Sequence, residues 1–247
     1  MANSYQDPKT AQQYLDFLNS KNGQIQQKVL FEALRPRLAN NPSSTILDAG
    51  CGPGWLTGMI KKEFNNVQAC DASPVLIDFA KKHYFGIDFK IASLDQPLAY
   101  SPDCFDCVIL NMVAPDLSDL STTFKNLSAV LKPDGKLLMT IPNPQYTYPA
   151  AEWKRNIFDV LLGRKPKLQF KNPPIGGSKI EREFAKGIRI NSHYYTLDDY
   201  LKAANSARLN LISQNEIRSK LDSRDFDLNY QLYRFPILLL LEFVKNS

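Results

Sequence analysis

The chain has 247 residues, 44% hydrophobic and 22% charged, and 30 Lys or Arg against 25 Asp or Glu give it a net charge of +5. That length can bury one substantial α/β core with appendages and leaves no excess for a second full domain. The polar start Met1-Ala-Asn-Ser-Tyr5 has no apolar signal core, and the longest apolar run, Ile237 to Leu241, is far too short to span a bilayer, so the sequence predicts a cytoplasmic protein without a membrane span.

Cys51, Cys70, Cys104 and Cys107 lie in or beside strand-like segments, a usage that fits a reducing compartment rather than a disulfide framework. Cys104 and Cys107 form a Cys-x-x-Cys, but neither a second pair nor a histidine partners it. Buried strand residues are therefore expected there instead of a zinc or redox site. Residues 1–42 predict two amphipathic helices. Asp7 and Pro8 open the first, which carries Tyr14, Phe17 and Leu18; the second carries Ile25, Val29, Leu30, Ala33 and Leu34 before Pro36 ends or kinks it. Packing against a sheet edge accounts for the second and is one reading of the first.

From Thr45 to Trp55 an apolar run ends in Asp48, glycines follow at 50, 52 and 54, and a helix is expected from about Pro53 to Phe64. Glycine allows positive φ and lets a ligand touch bare backbone. A dinucleotide fingerprint, Gly-x-Gly-x-x-Gly, would need glycine where Trp55 stands, which counts against NAD or FAD. Val67 to Asp71 is a second strand ending in an acid 21 residues past Gly50. At the carboxyl end of a parallel sheet Asp71 can reach two ribose hydroxyls by a charge-assisted bidentate contact. The same segment can also start a helix, with Ser73 as N-cap, Pro74 at the first helical position and Val75 to His83 behind it. A third strand, Ile87 to Ile91, runs into Ala92-Ser93-Leu94-Asp95, and Phe105 to Asn111 is apolar enough to be a central fourth strand.

Four phrases together, Asp48-Ala-Gly50-Cys51-Gly52-Pro-Gly54, Asp71-Ala72-Ser73-Pro74, Phe105-Asp-Cys-Val108 and Leu131-Lys-Pro-Asp-Gly-Lys-Leu-Leu-Met139, resemble the motifs of class I S-adenosylmethionine-dependent methyltransferases. The resemblance is to the small-molecule type, similar to type 11 and ubiquinone-biosynthesis methyltransferases. It implies an α/β, Rossmann-like, seven-stranded, mostly parallel sheet with helices on both faces and the last strand antiparallel. It also implies S-adenosyl-L-methionine as cofactor and S-adenosyl-L-homocysteine as product. The implied cofactor residues are Asp48, Gly50, Cys51 and Gly52 at the amino-acid end, Asp71 and Ala72 at the ribose, Ser93 and Leu94 at the adenine, and Asn111 and Met112 where methyl and acceptor meet. Tyr14, with Tyr5, is implied as a lid. Amino-methyltransferases of DNA and protein carry Asn-Pro-Pro-aromatic where this chain has Asn111-Met-Val-Ala. Metal-assisted methylation would want carboxylates at strand ends that read Asn111 and Ile141-Pro-Asn143, so no metal is expected. A cytosine methyltransferase needs a thiolate in the crevice, whereas Cys104 and Cys107 begin strand four.

Ser118 to Leu131 predicts a helix closed by Lys132-Pro-Asp-Gly135, a stop and hairpin-like turn before the strand Lys136 to Ile141. Residues 142–195 break the alternation and read as a lid holding one short amphipathic helix, Glu152 to Leu162. Between 151 and 190 ten Lys or Arg face four acids, a surplus that suits anionic substrates or surfaces and equally suits a solvated loop. Gly163-Arg-Lys-Pro-Lys-Leu-Gln-Phe-Lys171 mixes cations with an aromatic, but no recognition module for nucleic acid accompanies it. Thr196 caps a helix to about Ala207, and His193, just before it, is a candidate general base or a plain hydrogen-bonding histidine; Tyr194 and Tyr195 are candidate pocket walls. Two closing strands are expected, Leu209 to Ile217 and about Leu232 to Val244.

The domain expected is single: an N-terminal helical cap (1–42), a cofactor-binding core (45–141), a lid (142–195) and the end of the sheet (196–247). Its expected reaction is methyl transfer to a small molecule, an anionic one being a candidate, with oxygen favoured over nitrogen or carbon. Two alternatives stay open, an RNA or protein methyltransferase using the basic insertion and a non-catalytic nucleotide-binding module. The sequence leaves oligomeric state open.

Overall fold

The computed structural model describes residues 4–38, 41–185 and 188–246; Met1 to Asn3, Ala39, Asn40 and the insertion's Lys186 lie outside them. Asp7 accepts the amide of Thr10 and Pro8 takes the first turn of α1 (Pro8–Asn19); Ser20 accepts the amide of Gly23 to open α2 (Lys21–Leu34). The apolar run at 45 forms β1 (Thr45–Ala49), followed by α3 (Trp55–Lys61), β2 (Asn66–Asp71), α4 (Pro74–His83) and β3 (Asp88–Ile91). Then come β4 (Phe105–Asn111), α5 (Leu120–Val130) and β5 (Leu131–Pro142). The insertion supplies β6 (Ala151–Lys154), α6 (Ile157–Leu161), β7 (Lys167–Phe170), β8 (Ser178–Ala185) and β9 (Ile188–Tyr194). The chain closes with α7 (Leu197–Ser206), β10 (Leu209–Ile217), α8 (Leu228–Arg234) and β11 (Leu238–Lys245).

Seven strands form one sheet in the order β10-β11-β5-β4-β1-β2-β3. β1 pairs in parallel with β2 and β4, β3 with β2, and β5 with β4, while β11 is antiparallel to both β5 and β10. The expected Rossmann-like sheet is therefore present, with its last strand inserted one place from the edge. Leu30, Leu34, Leu56 and Ile60 of the helices cover Ile46, Ile109, Leu138 and Leu240 on one face. On the other, Phe124, Leu127, Tyr200 and Ala204 cover Val108, Leu137, Met139 and Phe243. Because β1, β4 and β5 are covered on both faces, they read as continuous apolar runs. Their carboxyl ends share one crevice, which is where a parallel sheet binds ligands.

Five local expectations are corrected. α3 begins at Trp55 rather than Pro53, because Gly50, Gly52 and Gly54 all take positive φ (76°, 53° and 83°) and carry the loop one turn further. α5 begins at Leu120 because Asp119 takes the cap. Lys132 to Gly135 is a bulge inside β5: Phe105 pairs Leu131, Cys107 pairs Lys136, and Asp134 sits at φ 61°. The single helix expected over Glu152 to Leu162 is a short turn of helix inside a β-ribbon, in which Ala151 to Lys154 pairs antiparallel with Lys167 to Phe170. Trp153 anchors that ribbon against Phe226, Tyr230 and Phe235, a contact no local pattern announces. Finally, Leu232 belongs to α8, capped by Asp227, so the last strand starts at Leu238.

Phe124 is fully buried and meets Phe243 edge to face at 6.1 Å between centroids. Phe124→Ala is expected to lower unfolding free energy by about 3–5 kcal/mol through lost transfer energy and a cavity, read from urea or guanidinium unfolding.

Candidate functional site

β1 and β2 end side by side, and the chain leaves β1 through the glycine loop. Gly50 N and Cys51 N both donate to Cys70 O at 2.7 and 3.0 Å, and Gly54 N donates to Cys51 O at 3.1 Å. Gly52 N donates to Asp71 Oδ2 at 2.8 Å. Four of the loop's amides are thus spent internally, so the loop offers a ligand its bare Cα faces rather than a row of N–H donors. A Cβ on Gly50 would come within 2.5 Å of Val113, so no side chain fits there, whereas one on Gly52 would meet the Tyr14 ring at an ordinary 3.5 Å and it is the positive φ that favours glycine.

Asp71 is the second element. Its Oδ1 accepts Ser73 N at 2.8 Å while Oδ2 accepts Gly52 N, and both oxygens keep further acceptor capacity. Burial pushes its carboxyl up, opposed by the amides of Ser73 and Gly52. Ser73 accepts Leu76 N to cap α4 and donates its hydroxyl to Tyr5 O at 2.5 Å, which ties the N-terminal segment to this corner. Gln6 adds a bond from Nε2 to Ala72 O at 3.3 Å, and Tyr5 lies 5.2 Å from Tyr14 between ring centroids.

Around this corner lies a cavity of about 360 Å³. Of the residues singled out from sequence, Gly50, Asp71, Ala72, Ser93, Leu94 and His193 line it. Tyr14 packs behind it, over Gly52. Asp48 lies buried beneath the loop, where Oδ2 accepts Thr57 Oγ1 at 2.6 Å and Oδ1 has no hydrogen-bond partner. Cys51 is buried, and burial pushes its thiol well up. Asn111 accepts Thr140 Oγ1 at 2.6 Å and does not line the cavity; Met112, held at φ 61° with its amide on Thr140 O, lines a neighbouring cavity of about 290 Å³. The two cavities share Ile180 and His193.

The shared wall comes from the β8–β9 hairpin, an element the proline and glycine content of the insertion concealed. Arg182 on β8 donates from Nε to Ser192 Oγ at 2.9 Å, Ser192 Oγ donates to Asp116 Oδ1 at 2.9 Å, and Arg182 pairs with Asp116 at 3.6 Å. This network pins the hairpin to the turn after β4. Asp116, missed from sequence, carries one legible signal: it is an acid just past the carboxyl end of the central strand. Burial pushes its carboxyl up and Arg182 opposes that. His193 stacks on Tyr195 at 5.9 Å; its Nδ1 is buried without a hydrogen-bond partner. Burial and the neighbouring Lys179 hold its pKa below the usual imidazole value, so it stands neutral near pH 7.

The lining discriminates between ligands. Asp71, Asp95, Asp116 and Glu181 line the cavity with carboxylates and Lys179 with an ammonium; Arg182 pairs with Asp116 and Arg189 with Glu181, which leaves Asp71 and Asp95 against Lys179. An acid-rich wall above an amide-poor loop suits a cationic nucleoside and opposes a pyrophosphate, which needs donors and positive charge. S-adenosyl-L-methionine, with its sulfonium and ammonium, fits these residues.

Residues 47–139 match the family described as "Methyltransferase domain". That stretch of the chain resembles a methyltransferase domain. Over 117 residues the chain is 32% identical to a malonyl-[acyl-carrier protein] O-methyltransferase of Hahella chejuensis, covering 45% of this chain and 41% of the relative. Over 102 residues it is 28% identical to a ubiquinone biosynthesis O-methyltransferase of Xanthomonas euvesicatoria, covering 40% and 43%. The chain therefore spans less than half the length of these two relatives. An S-adenosylmethionine-dependent methyltransferase from Mesorhizobium loti superposes with a TM-score of 0.69 over 88% of this chain and 98% of its own, at 21% identity, which supports the fold. The matched stretch runs from β1 into β5, while His193 and the hairpin wall lie outside it.

Burial raises the Asp48 carboxyl to about 7. Since an unfolded Asp titrates near about 4, the folded chain holds a proton there between about pH 4 and 7 that the unfolded chain has released. Stability from this group is full below about pH 4 and falls as pH rises toward 7. Asp48→Asn is expected to flatten that fall, read as urea midpoints compared at about pH 5 and about pH 7.5.

Proposed function

We propose that this chain transfers a methyl group from S-adenosyl-L-methionine to a small-molecule acceptor, with a hydroxyl oxygen as the accepting atom. The observation that carries the proposal is the convergence of the Asp71 carboxylate and the side-chain-free glycine loop on one acid-rich cavity. In this reading Asp71 accepts the ribose hydroxyls on the lone pairs its backbone amides leave free. Ser93 and Leu94 border the adenine, and Gly50 and Gly52 give the methionine moiety its close approach. Tyr14, with Tyr5, covers that end. Bound there, the cofactor supplies an electrophilic methyl on a cationic sulfur.

The second cavity, lined by Tyr194, Tyr195, Ile237 and Met112, receives the acceptor. The hairpin supplies one wall of this cavity and orients the acceptor, and such positioning provides much of the rate of a displacement. His193, on the boundary of the two cavities, takes the proton from the acceptor hydroxyl. A base is useful for oxygen because an alcohol is too weakly acidic to lose its proton unaided. The names of the two O-methyltransferases that match this chain support oxygen as the acceptor. Ion pairs hold several of the insertion's cations: Lys154 and Lys171 with Glu152, Arg164 with Asp159, and Arg189 with Glu181. That pairing favours a small acceptor over a polyanion.

Calorimetry tests the cofactor half: S-adenosyl-L-homocysteine is expected to bind and NADH not to, with Asp71→Ala weakening the former at least about tenfold. Binding of NADH alone would replace the proposal with a nucleotide-binding module. For an acceptor found by transfer of labelled methyl, His193→Ala is expected to lower kcat about a hundredfold or more while leaving S-adenosyl-L-homocysteine affinity unchanged. Because its pKa is depressed, the base stays available as pH falls, and the acid limb of kcat is expected below the ordinary imidazole value of about 6.5.

A further inference from the structure

α6 is amphipathic the wrong way round for a chain in water. Its acid, Asp159, is the buried residue at 5% exposure, accepting Arg164 N through its carbonyl and pairing with the Arg164 side chain. Its apolar neighbours face out: Ile157 at 64%, Phe158 at 70%, Val160 at 46%, Leu161 at 74% and Leu162 at 63%. Single exposed apolar side chains are ordinary, but five in six consecutive residues form a contiguous patch, and such patches mark binding surfaces. A loop that is merely solvated has no reason to present them.

The patch sits at the end of the β6–β7 ribbon, between Lys154 and Lys167, and Trp153, one pair back from that end, packs the ribbon against Tyr230 of α8. Residues 151–171 carry six Lys or Arg and two acids, and Arg155 and Lys167 flank the apolar turn in exposed positions. We propose that this ribbon end docks on an anionic membrane surface, seating Ile157, Phe158, Leu161 and Leu162 at the headgroup boundary with Arg155 and Lys167 against lipid phosphates. A short apolar tip flanked by cations fits an interface only about 5–10 Å deep, and anionic lipid attracts each nearby cation. A stable protein partner needs a broader face, about 800 Å² a side. Among the described residues no helix is long and apolar enough to cross a membrane, so the contact is peripheral. The ribbon is entered directly from Thr147 and Tyr148, which line the second cavity.

Cosedimentation with vesicles of phosphatidylglycerol in phosphatidylcholine, and of phosphatidylcholine alone, tests the proposal on the full chain. Binding is expected to the anionic vesicles, weakened at least about tenfold by Phe158→Glu with Leu161→Glu, and separately by Arg155→Glu with Lys167→Glu. Far-UV circular dichroism and melting temperature identify a variant that has lost its fold, and the charge pair then decides alone because it alters exposed side chains only. Failure of the parent chain to bind anionic vesicles overturns the proposal, as does equal binding by folded variants. Light scattering that shows a dimer broken by Phe158→Glu with Leu161→Glu, without vesicle binding, overturns it in favour of a second copy of this chain.

Discussion

Asp71 holds this site together by accepting two backbone amides from different directions. Gly52 comes from the loop after β1 and Ser73 from the start of α4, each at 2.8 Å, so one carboxylate fixes the glycine loop, its own strand end and the following helix. A buried carboxylate is costly unless its oxygens are satisfied, and here the satisfaction is supplied by backbone that must be positioned anyway. The acceptor capacity that remains faces the cavity. Removing the side chain would therefore release the loop as well as a ligand contact. Tyr5 and Gln6 fasten the N-terminal segment to the same corner through Ser73 and Ala72, so the cover over the cavity depends on that anchor too.

A second polar anchor governs the other half of the site. The β8–β9 hairpin is not part of the main sheet, and Arg182, Ser192 and Asp116 tie it to the turn after β4. With the hairpin in that position, His193 stands between two cavities rather than on an outer surface. Its ring stays neutral because burial and Lys179 both oppose a charge there. The division of labour follows the chain: the repeating β-α units make the acid-rich cavity, and the departure from that repeat makes the wall and the second cavity. The insertion's ribbon end leaves its apolar side chains uncovered.

How far the sequence could be read depended on how local the cause was. Caps were legible one by one: Asp7, Ser73 and Thr196 each cap the helix their spacing announces, because the interaction lies within three residues. Strand runs that are buried on both faces were legible for a similar reason, since their apolar continuity needs no knowledge of the partner. Asp71 could be singled out because neighbouring strands of a parallel sheet end together, and Gly50 by the spacing of the glycines; Ser93 and Leu94 came from the family resemblance alone. The contacts of Asn111 and Met112 with Thr140, the bulge at Lys132 to Gly135 and the hairpin wall could not. Each is set by a residue distant in the chain, and the hairpin is hidden further by proline and glycine that look like loop.

By itself the sequence determined the alternation of β and α segments, the glycine bend and the acid at the end of the second strand, because periodicity and short-range capping are written locally. The seven-stranded sheet was implied by the family resemblance, and its strand order came from the tertiary structure. Tertiary structure alone decided that four loop amides are consumed internally, that Asp116 and Arg182 pin the insertion, and that His193 joins two cavities. Those outcomes depend on which distant groups desolvate one another, and burial is a property of the folded whole rather than of any segment.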